Sequence, residues 1–291
     1  MRVLCLLMLL LCSCADNNFD AFGQVLSQTG LMSGSQANAI IKFGNSVSKS
    51  GFSVEEEYYI GRSVAATILS KYRPYNDRAL TAYVNKIANV LTNVSDRPET
   101  FIGYHVMVLD TAEINAVSAP GGYIFVSRGF IKILTNEDAL ASVIAHEIAH
   151  IVKSHGIYAI SKSNLTNSLM LLGKETAAAQ TSGVANELTN VFGDSVGDIT
   201  NTLLVKGYSR RQEYESDAYA VELLNRAGYN PSAIVTSLNA VAEAQKVGSS
   251  GGWMSTHPEA EDRLEQVQEL ISKNESSGQE KRNFRFKQIM K

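Results

Sequence analysis

His146-Glu-Ile-Ala-His150 lies within an apolar, alanine-rich stretch, and this pentapeptide guides the interpretation of the whole chain. From Asn136 to Lys153 there is no glycine or proline, and the apolar residues recur at spacings compatible with a buried helix. Asn136 is the predicted N-cap, and two acidic residues follow it in the first turn, where the helix dipole favours negative charge. The stretch therefore predicts a core helix that carries the pentapeptide.

Two imidazoles four residues apart share one face of a helix, so His146 and His150 are predicted to bind the same metal ion. A catalytic zinc ion lowers the pKa of its bound water to about 7, and Glu147 lies next to this position, where its carboxylate can accept the proton. The pattern indicates a zinc hydrolase with one Zn²⁺ per chain and Glu147 as catalytic base. The alternative is a core helix whose histidines form only structural hydrogen bonds.

A third protein ligand is expected in the run Arg211-Gln-Glu-Tyr-Glu-Ser-Asp217, which offers Glu213 and Glu215. Glu213 and Asp217 are four residues apart and share a helix face, whereas Glu215 points to nearly the opposite side. Glu213 is therefore the predicted ligand. Asp217 is predicted to accept the free ring N–H of a ligating histidine, as carboxylates around metal sites commonly do. The alternative is a surface helix whose acidic residues pair with the neighbouring arginines.

With these residues, roughly positions 54 to 272 resemble the HtpX-like zinc metallopeptidases, and within that family the soluble, lipid-anchored bacterial branch that acts in envelope protein quality control. The resemblance implies an endopeptidase that binds zinc through His146, His150 and Glu213. It also implies that the substrates are unfolded or misassembled envelope proteins, and that the outer-membrane assembly machinery is a possible partner. The resemblance rests on four segments: Ile114 to Val126, the pentapeptide, Arg211 to Asp217, and Thr256-His-Pro-Glu259.

The expected fold class is α+β, a mostly helical zincin-like metalloprotease domain over residues 53–272 with a small antiparallel sheet. Apolar spacing predicts helices at Val54–Lys71 and Asp77–Thr92. Residues 104–110 and 122–127 are the predicted strands. Asn115 and Ala116, with the 122–127 strand, are expected to present a free edge on which an extended peptide pairs through main-chain hydrogen bonds.

Three further histidines have separate interpretations. Thr256 and Glu259 fit a capping box that fixes His257 in the first turn of a helix. In similar proteases a histidine before proline lies near the metal, so His257 is a candidate gate or transition-state hydrogen-bond donor, and otherwise a surface cap residue. His105 is expected to be an ordinary strand residue. His155 is expected in the last turn of the pentapeptide helix.

The first thirteen residues have one positive charge and a short apolar run, which is typical of a secretory signal peptide. Leu11-Cys-Ser-Cys14 resembles a bacterial lipobox with Cys14 as the lipidated residue, while an ordinary signal peptide cleaved nearby is the alternative. Residues 14–52 are then a tether. With Ala15 rather than aspartate after the cysteine, a periplasm-facing lipoprotein of the outer membrane is favoured over one of the inner membrane.

The remaining composition narrows the function classes. A net charge of −3 and 19% charged residues give no basic stripe, so nucleic-acid binding has no support. Residues 158–205 could cover the cleft, touch the membrane, or simply connect helices, and residues 273–291 are expected to be a disordered polar and basic tail with weak membrane or partner contact as the alternative. The rival function is an envelope chaperone or scaffold with structural zinc and little proteolysis.

Overall fold

The computed structural model describes residues 54–159, 193–194, 196–246, 252–257, 260–271 and 278–290. By internal packing the chain divides into two units, and the unit that comprises 57–159 and 199–291 contains the pentapeptide and the other predicted ligands. The predicted signal peptide and tether lie outside the described residues, as does most of 158–205. None of the described helices has the length and apolar character needed to cross a membrane.

The described elements are mostly helices around a small sheet. In chain order they are α1 (Val54–Lys71), α2 (Arg78–Thr92), β1 (His105–Leu109), β2 (Ala116–Ala119), a 3₁₀ turn (Pro120–Gly122), β3 (Tyr123–Ser127), α3 (Arg128–Ile133), α4 (Glu137–Val152), α5 (His155–Tyr158), a π-helical segment (Thr202–Lys206), α6 (Arg210–Ala227), α7 (Ala233–Lys246), α8 (Trp253–Thr256), α9 (Ala260–Leu270) and α10 (Gln279–Ile289). The predicted α+β class and the first two helices are confirmed.

The sheet is mixed, and the expectation of a purely antiparallel sheet was wrong. Its strand order is β1-β3-β2, with β1 and β3 parallel and β2 and β3 antiparallel. The strands at 104–110 and 122–127 are expected to pair antiparallel only when the short strand β2 between them is not recognised. Gly121 and Gly122 adopt positive φ angles of 78° and 104°, which glycine tolerates, and they close the β2–β3 hairpin that docks with β3 against β1.

Helix α4 forms the centre of the core. Asn136 caps it by accepting a hydrogen bond from the backbone N–H of Ala139 at 2.8 Å, as the sequence predicts. Residues 137–151 are all buried, so the helix is enclosed on every side. Helix α6 packs against α4 and begins at a capping box between Ser209 and Gln212. This packing brings the face that carries Glu213 towards the pentapeptide.

The C-terminal segment folds back onto the core, so the expectation of a disordered tail over 273–291 is wrong for its described part. Helix α10 packs against α4 and buries Phe286. Arg282 forms an ion pair with Asp138, and Arg285 pairs with Glu137, so both basic residues meet the first turn of α4. The tail therefore helps to hold the start of the helix that carries the pentapeptide.

Candidate metal centre and active site

Four buried side chains converge at the centre of the molecule: His146, His150, Glu213 and His257. Helix α4 places the two Nε2 atoms of His146 and His150 3.1 Å apart. A carboxylate oxygen of Glu213 lies 3.5 Å from Nε2 of His146, and another lies 3.7 Å from Nε2 of His150. Nδ1 of His257 lies 3.3 Å from Nε2 of His146. One nitrogen or oxygen donor from each residue therefore points to a common centre.

These separations fit a tetrahedral metal site. Four ligand atoms at zinc–nitrogen and zinc–oxygen bond lengths of roughly 2.0–2.1 Å would be separated from one another by about 3.3 Å. The close contacts among these donors range from 2.9 Å, between His257 and Glu213, to 3.7 Å, between His150 and Glu213, and all four donors lie within 4.8 Å of one another. Imidazole and carboxylate donors in such a set suit a divalent transition metal. The residues therefore fit the metal that the pentapeptide predicts.

Glu147 lies beside this donor set and is fully buried. Ser118 of β2 donates a hydrogen bond to one carboxylate oxygen at 2.8 Å. The indole N–H of Trp253 is 3.5 Å from the other oxygen, and Nε2 of His257 is 3.7 Å from that same oxygen. The carboxylate is thus held next to the centre by contacts from both the sheet and α8.

Asp217 occupies the position that the sequence predicts for it, one turn after Glu213. Its carboxylate accepts a hydrogen bond from Nδ1 of His146 at 2.9 Å, which leaves Nε2 of that ring to face the donor cluster. Burial lowers the pKa of His146, but hydrogen bonds to Asp217 and Glu213 outweigh this effect and raise it to about 9. Because a metal ligand must be a neutral imidazole, metal binding at His146 is coupled to proton release.

Arg263 is a buried residue of the site that the sequence interpretation missed. Its guanidinium donates two hydrogen bonds of 2.7 Å to Asp217, and Nη1 lies 2.9 Å from Glu213 without hydrogen-bond alignment. Burial raises the pKa values of Glu213 and Asp217, but attraction to surrounding positive groups, Arg263 among them, outweighs burial and lowers both. For Glu213 the largest lowering effect is attraction to His257, followed by Arg263, and for Asp217 it is attraction to Arg263. Arg263 therefore helps to keep both carboxylates ionised, as Glu213 must be to bind a metal.

Two aromatic side chains cover the site, and the sequence interpretation also missed them. The ring of Tyr208 stacks on His150 at a centroid separation of 4.0 Å, and Trp253 stacks on His257 at 4.8 Å. Gly207 allows the approach of the α6 N-terminus to α8, because a Cβ atom there would lie 2.5 Å from the backbone oxygen of Thr256. The four candidate ligands are each at most 2% exposed, so the site is enclosed by its own chain.

His257 joins the donor set from a different local structure than the sequence predicts. It is the C-cap of α8 rather than a first-turn residue of the next helix. Thr256 donates its hydroxyl hydrogen bond to Trp253 within α8, at 3.2 Å, instead of capping α9. Glu259, the other half of the predicted capping box, lies outside the described residues. At the end of α8 the His257 side chain points inward, and this residue is 1% exposed.

Two other histidines lie outside the donor set. His105 begins β1, is exposed, and places Nε2 within 2.9 Å of the backbone oxygen of Ile102, which confirms its interpretation as an ordinary strand residue. The expectation for His155 was wrong. Helix α4 ends at Val152, Ser154 adopts a left-handed conformation with φ of 56°, and His155 starts the separate helix α5 with a buried side chain.

The strand predicted to offer a free edge to a peptide has none. β3, which contains 123–127, is the central strand, so it has no free edge, and the edge strand on this side of the sheet is β2 with Ala116 at its start. The backbone of Asn115 pairs with Ser127, and its side-chain oxygen is buried without a hydrogen-bond partner in the described part of the chain. The π-helical segment Thr202–Lys206 packs beside β2 and α8.

A protein-family model and several known proteins match much of this chain. The model of Peptidase family M48 matches residues 76–271. The mitochondrial metalloendopeptidase OMA1 of Schizosaccharomyces pombe is 29% identical over 204 residues, which is 68% of this chain and 56% of that protein. The metalloprotease LoiP of Escherichia coli is 27% identical over 207 residues, 71% of this chain and 75% of that protein.

A beta-barrel assembly-enhancing protease of Escherichia coli is 26% identical over 221 residues, which cover 74% of this chain and 44% of that protein. The chain thus spans about half the length of this relative and of the fission-yeast one, at 44% and 56%. Because the family model covers most of the chain, including all four candidate ligands and Glu147, the chain belongs to peptidase family M48.

Proposed function

We propose that this protein is a zinc-dependent endopeptidase. The observation that carries the proposal is the convergence of His146, His150 and Glu213, with donor separations that suit a tetrahedral metal ion, beside the buried carboxylate of Glu147. Three protein ligands of the His₂Glu type next to a glutamate form the arrangement of catalytic zinc sites in proteases. Bound zinc would supply Lewis acidity and an activated water at neutral pH.

The chain's own residues have distinct roles in this reaction. Glu147 accepts the proton of the attacking water and later delivers it to the leaving amine, as a general base and acid. Ser118 holds one oxygen of that carboxylate through its 2.8 Å hydrogen bond, so the other oxygen is directed towards the cluster. Asp217 orients His146, and Arg263 holds Glu213 and Asp217 in their ionised form.

His257 is proposed to be a gate. As a fourth protein donor it completes a closed coordination set, whereas a catalytic zinc keeps one position open for water or substrate. Cleavage therefore requires His257 to move away, together with α8. In the described part of the chain, two backbone hydrogen bonds attach α8 to neighbouring segments. These run from Trp253 to Ile114 at 2.7 Å and from Tyr208 to Thr256 at 3.0 Å.

Unfolded or misassembled envelope proteins are the proposed substrates. Once the π-helical segment that packs beside the buried strand β2 has moved away, an extended chain could add to the edge of β2 through main-chain hydrogen bonds, which an intact folded protein cannot supply. One relative is a beta-barrel assembly-enhancing protease by name, and this supports a role near outer-membrane assembly. Export by residues 1–13 and lipidation at Cys14 would place the protein on the periplasmic side of the outer membrane.

A chaperone or scaffold role is the second candidate, and the closed donor set favours it. Structural zinc sites are usually closed by four protein ligands, which is the count reached when His257 is included. In that case zinc would stabilise the fold, and Glu147 would be dispensable. Loss of the metal would then unfold this protein, and its binding of unfolded substrate chains would be impaired for that reason only.

The deciding experiment measures zinc content and cleavage of casein for the wild-type protein, Glu147→Gln and Glu213→Gln. We expect Glu147→Gln to retain zinc and lose cleavage by roughly 10²-fold or more, as is typical for loss of a general base. Glu213→Gln should weaken zinc binding as well. Glu243→Gln is the matched control, because this glutamate is exposed on α7. Full cleavage by zinc-loaded Glu147→Gln would refute the peptidase and favour the scaffold.

A further inference from the structure

His155 contacts a candidate metal ligand from the side opposite the metal. Its Nδ1 atom lies 2.9 Å from Nδ1 of His150, which is a hydrogen-bond distance between two imidazoles. The side chain is 2% exposed, although the neighbouring Tyr158 of the same short helix is exposed. Nε2 of His150 faces the donor cluster. His155 therefore has the same relationship to His150 that Asp217 has to His146.

The other nitrogen of His155 reaches towards the protein surface. Nε2 lies 3.3 Å from a carboxylate oxygen of Glu215, which is 40% exposed and pairs with Arg211 one turn earlier on α6. A carboxylate only accepts hydrogen bonds, so Nε2 of His155 must be the donor. Nδ1 is then an acceptor for the N–H of His150. This assignment leaves Nε2 of His150 free to bind a metal ion.

Local backbone geometry aims His155 at this contact. Ser154 is the only described non-glycine residue with a positive φ, and its left-handed conformation separates the end of α4 from the start of α5. If α4 continued without this break, His155 would lie five positions after His150 on the same helix and would point away from the metal-binding face. The strained turn instead brings the ring back over His150. Such backbone outliers often mark functional sites.

We infer that His155 is a positioning residue of the metal centre, and that Glu215 fixes its tautomer from the surface. The inference rests on the proposed metal site. His150 is then held by a chain that runs through the imidazole of His155 to the carboxylate of Glu215, whereas His146 is held by a direct contact with the carboxylate of Asp217. Glu215 also acquires a role in this arrangement. Its side chain faces away from the metal, and it supports the site through His155.

The test compares substitutions that keep different atoms of the ring. The Oδ1 atom of asparagine is placed where Nδ1 of histidine lies, so His155→Asn keeps the acceptor for His150. His155→Gln reaches the region of Nε2 instead, and His155→Leu removes the contacts of both ring nitrogens, including that of the Ser216 hydroxyl with Nδ1 at 3.3 Å. Zinc affinity is measured by competition with a chromogenic chelator, and the visible absorption spectrum of the cobalt-substituted protein reports ligand geometry.

We expect zinc affinity to fall about 10- to 100-fold in His155→Leu and His155→Gln, the usual effect of losing a hydrogen-bond partner of a metal ligand. His155→Asn should stay near the wild-type affinity and keep the wild-type cobalt spectrum. Glu215→Leu should weaken zinc binding in the same direction by a smaller factor. Because Glu215 lies on the surface, Glu215→Leu tests the hydrogen-bonded chain through His155 and creates no buried cavity.

His105→Leu is the matched control, because His105 is exposed and, among the described residues, its ring is hydrogen-bonded to a backbone oxygen far from the donor set. Equal zinc affinity of His155→Leu and wild-type protein would overturn the inference while leaving the proposed peptidase intact. If His155→Leu does not fold, the comparison of His155→Asn with His155→Gln decides, and equal affinities there would also overturn it. A wild-type protein that binds no zinc would instead refute the proposed function itself.

Discussion

Nδ1 of His257 lies 2.9 Å from a carboxylate oxygen of Glu213, so a residue from the end of α8 shares the centre with a ligand from α6. The segment just before α6 is also joined to α8 by the backbone hydrogen bond from Tyr208 to Thr256. Displacement of α8 would remove His257 and its stacked partner Trp253 together. Access to the metal is therefore coupled to the position of one short helix.

His257→Ala should increase peptide cleavage several-fold and weaken zinc binding, because the substitution opens a coordination position and removes a donor. Steady-state kinetics on a fluorogenic peptide, with zinc content measured in parallel, would check this. A fall in kcat of roughly 10²-fold or more would instead identify His257 as a hydrogen-bond donor to the transition state. Unaltered kcat and KM in the zinc-loaded variant would remove it from the site.

Arg263→Leu should destabilise the protein by about 3–5 kcal/mol, because it leaves Asp217 and Glu213 as buried carboxylates with one charge partner fewer. The loss should be smaller with saturating zinc than with a chelator, since the cation also compensates these charges. Arg263→Lys should recover only part of it, because lysine cannot form the two parallel hydrogen bonds to Asp217. Thermal melts with and without zinc provide the measurement, and equal melting temperatures of the leucine variant and wild-type protein would contradict this role.

Local sequence patterns predicted the parts of the fold that are determined locally. The pentapeptide helix has a capping residue, acidic first-turn residues and continuous apolar spacing, and all three appear in α4. The same holds for the helix face that brings Glu213 and Asp217 towards His146. In both cases the period of the α-helix fixes which side chains meet, so the sequence alone is sufficient.

Contacts between distant segments were not predictable in this way. Arg263 stands between acidic residues in a polar helix, so its sequence context resembles a solvent-exposed arginine, and only the packing of α9 on α6 makes it buried. β2 has four small residues, too few for a clear alternating pattern. His155 was misplaced because the left-handed turn at Ser154 has no glycine to mark it.

Cys14→Ala should convert a membrane-associated, lipid-labelled protein into one that is soluble or unprocessed. The physical reason is that lipid chains attached to Cys14 would anchor the chain, while none of the described helices could cross a membrane. Metabolic labelling with a fatty-acid analogue and membrane fractionation would check it, with Cys12→Ala as the matched control. Unchanged labelling of Cys14→Ala would rule out this lipidation site.

Arg282→Ala should destabilise the protein by about 3–5 kcal/mol, because it leaves the buried carboxylate of Asp138 without its ion-pair partner. Arg282 is almost fully buried with Asp138, whereas Lys281 on the same helix is exposed, so Lys281→Ala is the control and should have little effect. Chemical denaturation gives the unfolding free energies. A double-mutant cycle with Asp138→Asn should show that the two substitutions together cost less than their sum.

The same pair predicts a dependence on pH. Burial raises the pKa of Asp138 even though Arg282 lowers it, so removal of the arginine should raise this pKa further. A carboxyl group with a higher pKa in the folded state binds protons more tightly there than in the unfolded chain, so its contribution to stability falls as pH rises. Arg282→Ala should therefore lose less stability near pH 5 than near pH 8, relative to wild-type protein at each pH. An equal loss at both pH values would mean that Asp138 is not an unpaired buried charge in the variant. The C-terminal helix would then stabilise the start of α4 through the packing of Phe286 and the ion pair between Arg285 and Glu137.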